Sequence, residues 1–253
     1  MVASAALVAL KTLLSVLACV MCAMFVWGFV MDGWSSCFDI HARWMVAALI
    51  DFYIHVAIIG AWVVYKESSR IRAAVLILFL ITLGSITTCT YIVVLLFKLS
   101  PEESSKDPLY FVLARHQKRD VSGHRRGPSV VTARIIFSAL GCLMLGTFIY
   151  TLIVDGSPFR AQVFTPCMIG ATTDFYFNVV VLSVWVAYKE SSWISAFLWI
   201  LSIVCFGSIT TCVYMLRQLF YLSPDQPVSL IIFNSSNRDL QLSDPLLMAN
   251  AYV

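Results

Sequence analysis

Asp51 to Pro101 reads DFYIHVAIIGAWVVYKESSRIRAAVLILFLITLGSITTCTYIVVLLFKLSP, and Asp174 to Pro224 reads DFYFNVVVLSVWVAYKESSWISAFLWILSIVCFGSITTCVYMLRQLFYLSP. At a constant offset of 123 residues, without a gap, 27 of these 51 positions are identical. Chance does not produce such a match, so the architecture is read as one unit used twice. The offset continues upstream. It pairs Lys11 with Arg134, Ser15 with Ser138, Leu17 with Leu140, Cys19 with Cys142, Met21 with Met144, Phe25 with Phe148, and Asp32-Gly33 with Asp155-Gly156. The unit is therefore about 95 residues long.

The composition places both copies in lipid. Of 253 residues, 60% are apolar and 12% charged, with a mean hydropathy of +0.86. Soluble domains carry about 25% charged residues, which excludes a soluble enzyme. So apolar a chain is also not a disordered one. A net charge of +3, from scattered residues, excludes a dedicated nucleic-acid binder.

A helix crosses the roughly 30 Å hydrocarbon core with about 20 apolar residues. Each copy holds three such runs, at about 12–31, 44–65 and 71–97, and again at 135–154, 167–188 and 194–220. The first run is not a cleaved signal, because its duplicate lies in mid-chain. The expected fold is an all-α integral membrane protein of six transmembrane helices in two tandem three-helix repeats. Residues 1–101 form repeat 1, 102–129 a charged linker, 130–224 repeat 2 and 225–253 a polar tail. Three spans per repeat would turn the second copy upside down, the inverted arrangement many carriers share. That inference holds only if no run is re-entrant or interfacial.

Orientation signals conflict under this topology. Lys and Arg divide 10 to 7 in favour of a cytosolic linker, and Asn234-Ser235-Ser236 fits a glycosylation acceptor on a lumenal tail. The loop holding Lys66, Arg70 and Arg72 argues the other way, because copy two keeps only Lys189, with Trp193 and Ser195 at the other two positions.

Membrane-immersed charges are costly and face the bundle interior. Asp51 and Asp174 lie about two turns inside their helices. At 100° per residue, Asp51, His55, Trp62 and Lys66 form one stripe, which copy two repeats as Asp174, Asn178, Trp185 and Lys189. One reading is a polar path with the two Asp as proton or cation sites, one nearer each face, and His55 sharing a proton with Asp51. The other is that each Asp caps a neighbouring helix end. GSITTC, at Gly84–Cys89 and Gly207–Cys212, is read in two compatible ways. Gly84, Ser85, Gly207 and Ser208 allow close helix packing, and Thr87, Thr88, Thr210 and Thr211 offer hydroxyls to a solute at mid-depth. YKESS reads as an interfacial hairpin. Trp62, Tyr65, Trp185 and Tyr188 lie in the aromatic belt, Lys66, Glu67, Lys189 and Glu190 reach headgroups, and Ser68 or Ser69 caps the next helix.

Six of eight cysteines fall within apolar runs and only Cys37 and Cys167 lie near loops, so no disulfide framework is expected. Cys19 and Cys22 have CxxC spacing but no His partners. No metal set, cofactor motif or catalytic nucleophile is read from the sequence.

DFY, W-V-x-Y-K-E-S-S and G-S-I-T-T-C-x-Y together resemble an uncharacterised family of plant multi-pass membrane proteins known as a domain of unknown function. The resemblance implies a membrane protein of plant origin and brings no activity or site residues. The residues themselves point to a small solute or ion carrier or channel-like protein, with a non-transporting scaffold second and a membrane-embedded enzyme third. The expected surroundings are a lipid bilayer, endomembrane or plasma membrane. A homodimer is compatible with so small a bundle.

Overall fold

The computed structural model describes residues 2–36, 41–114, 129–160, 163–224 and 226–233. Ten α-helices form it, with no strand among the described residues: α1 Val2–Ser36, α2 Arg43–Lys66, α3 Arg70–Leu83, α4 Ser85–Phe97, α5 Pro101–Lys106, α6 Pro108–Leu113, α7 Val130–Asp155, α8 Pro166–Lys189, α9 Trp193–Phe206 and α10 Ser208–Phe220. A 3-10 turn, Val228–Ile232, follows.

Among the described residues four helices are long and apolar enough to cross a membrane, within α1, α2, α7 and α8. Six such helices are not found among the described residues. The runs 71–97 and 194–220 are each cut in two by a glycine, Gly84 at φ +54° and Gly207 at φ +56°, and neither half reaches spanning length. Backbone at positive φ cannot continue a right-handed helix, and glycine is the residue that adopts it without steric cost.

Both cut helices fold back into hairpins. The Thr87 hydroxyl reaches the Phe79 carbonyl at 2.9 Å, and Thr210 reaches Ser202 at 3.1 Å, contacts eight residues apart. The ends agree with this. Phe97, closing α4, lies under the ammonium of Lys11 near the start of α1, at 4.5 Å. Phe220, closing α10, lies under the guanidinium of Arg134 near the start of α7, at 4.8 Å. Arg134 also donates to the carbonyls of Leu219 and Leu222.

A hairpin that begins and ends at the same end of the bundle leaves an even number of crossings in each half. The inverted arrangement needs an odd number. Arg43, opening α2, pairs with Asp155, closing α7, at 2.5 Å, whereas inversion would put these residues on opposite faces. α2 and α8 run side by side in the same direction through the centre. α1 packs on α4 and α8, and α7 packs on α10 and α2. Each half thus leans on the central helix of the other.

The sequence reading of the linker and tail also changes. Asp107 caps α6 through the Tyr110 N–H, with Pro108 in its first turn, so the LYFVLA segment is a folded cap. The described start of the tail, Val228–Ile232, forms a second. Asn234–Ser236 and most of the basic linker lie outside the described residues.

Candidate functional site

Two polar constellations occupy the bundle, at different depths. The deeper one is built by the hairpin tips. Asp51 Oδ1 accepts the Ser208 N–H at 2.7 Å, and Asp174 Oδ1 accepts the Ser85 N–H at 2.7 Å. Each carboxylate caps the first turn of a half-helix from the other half of the chain, where unpaired N–H groups and the helix dipole favour negative charge. The tips must be glycine for a second reason. A Cβ on Gly84 would overlap the Asp174 carboxylate, and one on Gly207 would overlap that of Asp51. Asp51 and Asp174 both lie eight residues into their helices, about 12 Å from the Arg43–Asp155 end. They therefore share one depth.

His55 and Asn178 sit one turn further along, both fully buried. The His55 ring lies between the Asp51 carbonyl, 3.1 Å from Nδ1, and the Thr211 hydroxyl, 3.0 Å from Nε2. Asn178 occupies the matching position, and neither its Oδ1 nor its Nδ2 has a partner. Thr88 and Thr211 donate to the carbonyls of Gly84 and Gly207, so all four candidate threonines satisfy backbone within their own hairpins. Ser85 and Ser208 are themselves buried, each beside the carboxylate that its N–H reaches. Asp51, His55, Asp174, Asn178 and the four threonines meet at the hairpin tips, and none of them lines the large cavity described next.

That cavity, about 790 Å³, lies between the other ends of α2 and α8. Its walls come in pairs at the 123-residue offset: Ile58 with Val181, Ala61 with Val184, Trp62 with Trp185, Tyr65 with Tyr188, Leu14 with Phe137, and Ile92 with Met215. Two caps close its end. Trp62 Nε1 donates to the Leu113 carbonyl and Trp185 Nε1 to that of Ile232, at 3.4 and 3.0 Å. Lys66 donates to the Phe111 and Ala114 carbonyls, and Lys189 to those of Ile231 and Phe233. Tyr110 and Phe233 join the two caps, ring centroids 5.5 Å apart. The caps correspond at offsets of 119 or 120, which explains why the alignment at 123 stopped at Pro101 and missed them.

The YKESS segments turn inward. Lys66 and Lys189 are each only 7% exposed, their charges spent on cap carbonyls. Glu67 accepts from the Tyr91 hydroxyl and pairs with Arg72. Glu190 accepts from Tyr214, Ser195 and Gln218 and pairs with Arg217. Ser69 caps α3. Among the described residues no three His, Cys, Asp or Glu side chains cluster as a metal site. Cys19 and Cys22 are free and exposed on α1. Cys167, one of the two cysteines that the sequence places near loops, is disulfide-bonded. The other loop cysteine, Cys37, lies outside the described residues.

Long apolar helices around a capped, paired cavity define a helical membrane protein. Over residues 1–239 the chain matches a family described as protein of unknown function (DUF1475), and it belongs to that family. No curated protein and no solved structure matches it.

Proposed function

We propose that this protein is a small membrane carrier that holds its cargo in the cavity between α2 and α8. One observation carries the reading: a cavity of about 790 Å³ lined by equivalent residues from both halves of the chain. Ligand sites run from about 300 to 1,000 Å³, and carriers built from repeats place theirs at the repeat interface. The halves are then parallel repeats about an axis along the membrane normal, each with two spans and one re-entrant hairpin. The polar tips seal the far side of the cavity. Re-entrant backbone is tolerated in a membrane where protein buries it, and the crossed Asp caps supply that burial.

Parallel repeats also remove the conflict between the two charge signals. Of the described Lys and Arg, Lys11, Lys66, Arg70, Arg72, Lys98, Lys106, Arg134, Lys189 and Arg217 belong to the capped end, and only Arg43 and Arg160 to the other. Positive-inside logic makes the capped end cytosolic. Cys167 begins α8 at the opposite end, and disulfides persist on the oxidising side of a membrane.

Native mass spectrometry of the purified protein tests the carrier reading. Wild-type protein should retain a small molecule as added mass, and the Ala61→Trp, Val184→Trp variant should lose it. A wild type with no added mass, together with a filled variant that replaces it fully in cells lacking the protein, would leave the scaffold reading in its place.

A further inference from the structure

Part of the cavity wall is exposed. Ile58, Leu182 and Met215 line it while buried, and the caps Pro108–Leu113 and Val228–Ile232 cover its end. Val64 on α2 and Ile136 on α7 nevertheless line it while being 41% and 48% exposed. Both belong to membrane-spanning helices, so the mouth opens sideways, into the hydrocarbon of the leaflet at the capped end.

The lining is also without charge. Among the described residues no Asp, Glu, Lys, Arg or His contributes to the wall. The two nearest cations, Lys66 and Lys189, are turned to cap carbonyls, and both indole N–H groups are directed the same way. An ionised group placed inside would be desolvated without a counter-charge, the costliest kind of burial. An uncharged apolar body with one hydroxyl would exchange lipid contacts for protein contacts and leave only that hydroxyl to pair, within reach of Ser229 on the wall.

We infer that the cargo is an uncharged, membrane-dissolved lipid of sterol or single-chain alcohol type, admitted laterally through the Val64–Ile136 mouth. This rests on the carrier reading and narrows it. It also moves the cargo class away from the polar solute that the Asp and Thr residues suggested.

The test uses full-length protein in phosphatidylcholine nanodiscs with four photoreactive, clickable probes: a sterol, a hexadecanol, a palmitic acid and a phosphatidylcholine. Sterol or hexadecanol should label peptides from Ala57–Tyr65 and Val181–Tyr188, and excess unlabelled competitor should reduce that labelling at least fivefold. Ala61→Trp should reduce it equally. If that variant does not fold, Val184→Trp, approaching from the opposite wall, and the wild-type competition series carry the same reading. Preferred cavity labelling by palmitic acid or phosphatidylcholine would overturn the uncharged class and leave the carrier reading standing. Labelling by all four probes that falls equally on the lipid-facing residues Phe197 and Leu201 would overturn lateral uptake. Loss of the carrier reading is distinguishable from both, because it appears as absence of retained mass.

Discussion

The Asp51 carboxylate and the Ser208 N–H lie 2.7 Å apart across the two halves of the chain, and Asp174 and Ser85 repeat the contact in reverse. Removing either acceptor strands a buried N–H, a loss on the order of 1–3 kcal/mol. Asp51→Ala and Asp174→Ala should each lower the melting temperature in detergent, whereas Asp51→Asn and Asp174→Asn, which keep an acceptor oxygen, should lose much less. Equal losses for Asn and Ala would show that charge, and not the hydrogen bond, is what the tip requires.

Four of the long apolar runs were legible as helices, because hydropathy over about 20 residues is a strong signal. The runs 12–31, 44–65, 135–154 and 167–188 fall inside α1, α2, α7 and α8. The hairpins were not legible in the same way. A run such as 71–97 has the composition of one long span or two short helices, and hydropathy does not separate them. The deciding signals were local: a glycine at the head of GSITTC, and an Asp that needs a partner at the same depth. The cavity was hidden for another reason. Its wall residues are ordinary apolar side chains, and only the parallel course of α2 and α8 brings Ala61 opposite Val184.

Glycine substitutions should divide sharply by position. At Gly84 and Gly207 a side chain meets both positive φ and an occupied space, so Gly84→Ala and Gly207→Ala should each cost upward of about 2 kcal/mol and reduce the yield of monodisperse protein. Gly60 lies within α2 with nothing within 4 Å of where its Cβ would be. Gly60→Ala should be neutral or stabilise by up to about 1 kcal/mol. Fluorescence-detected size exclusion after heating reads both.

The caps should depend on the buried lysines. Lys66→Met keeps the aliphatic stem and removes the donor to Phe111 and Ala114, and Lys189→Met does the same for Ile231 and Phe233. Each variant should loosen its own cap by about 1–3 kcal/mol, seen as faster hydrogen exchange confined to Pro108–Leu113 or Val228–Ile232. Protection that stays at wild-type levels in both would mean that the Trp62 and Trp185 bonds and apolar packing hold the caps alone.

His55 and Asn178 hold equivalent positions and should respond with opposite signs. His55 is buried with both ring nitrogens engaged, so His55→Leu removes a bond to Thr211 and should cost about 1–2 kcal/mol. Asn178 is equally buried with both amide atoms unpartnered. A buried polar group without partners is itself a burden, and leucine is similar in volume. Asn178→Leu should therefore be neutral or raise the melting temperature, and Asn178→His, which can reach toward Thr88 as His55 reaches Thr211, should do the same. If Asn178→Leu instead destabilises as much as His55→Leu, the amide has partners in the membrane, and a bound water or cargo atom at that point becomes the thing to look for.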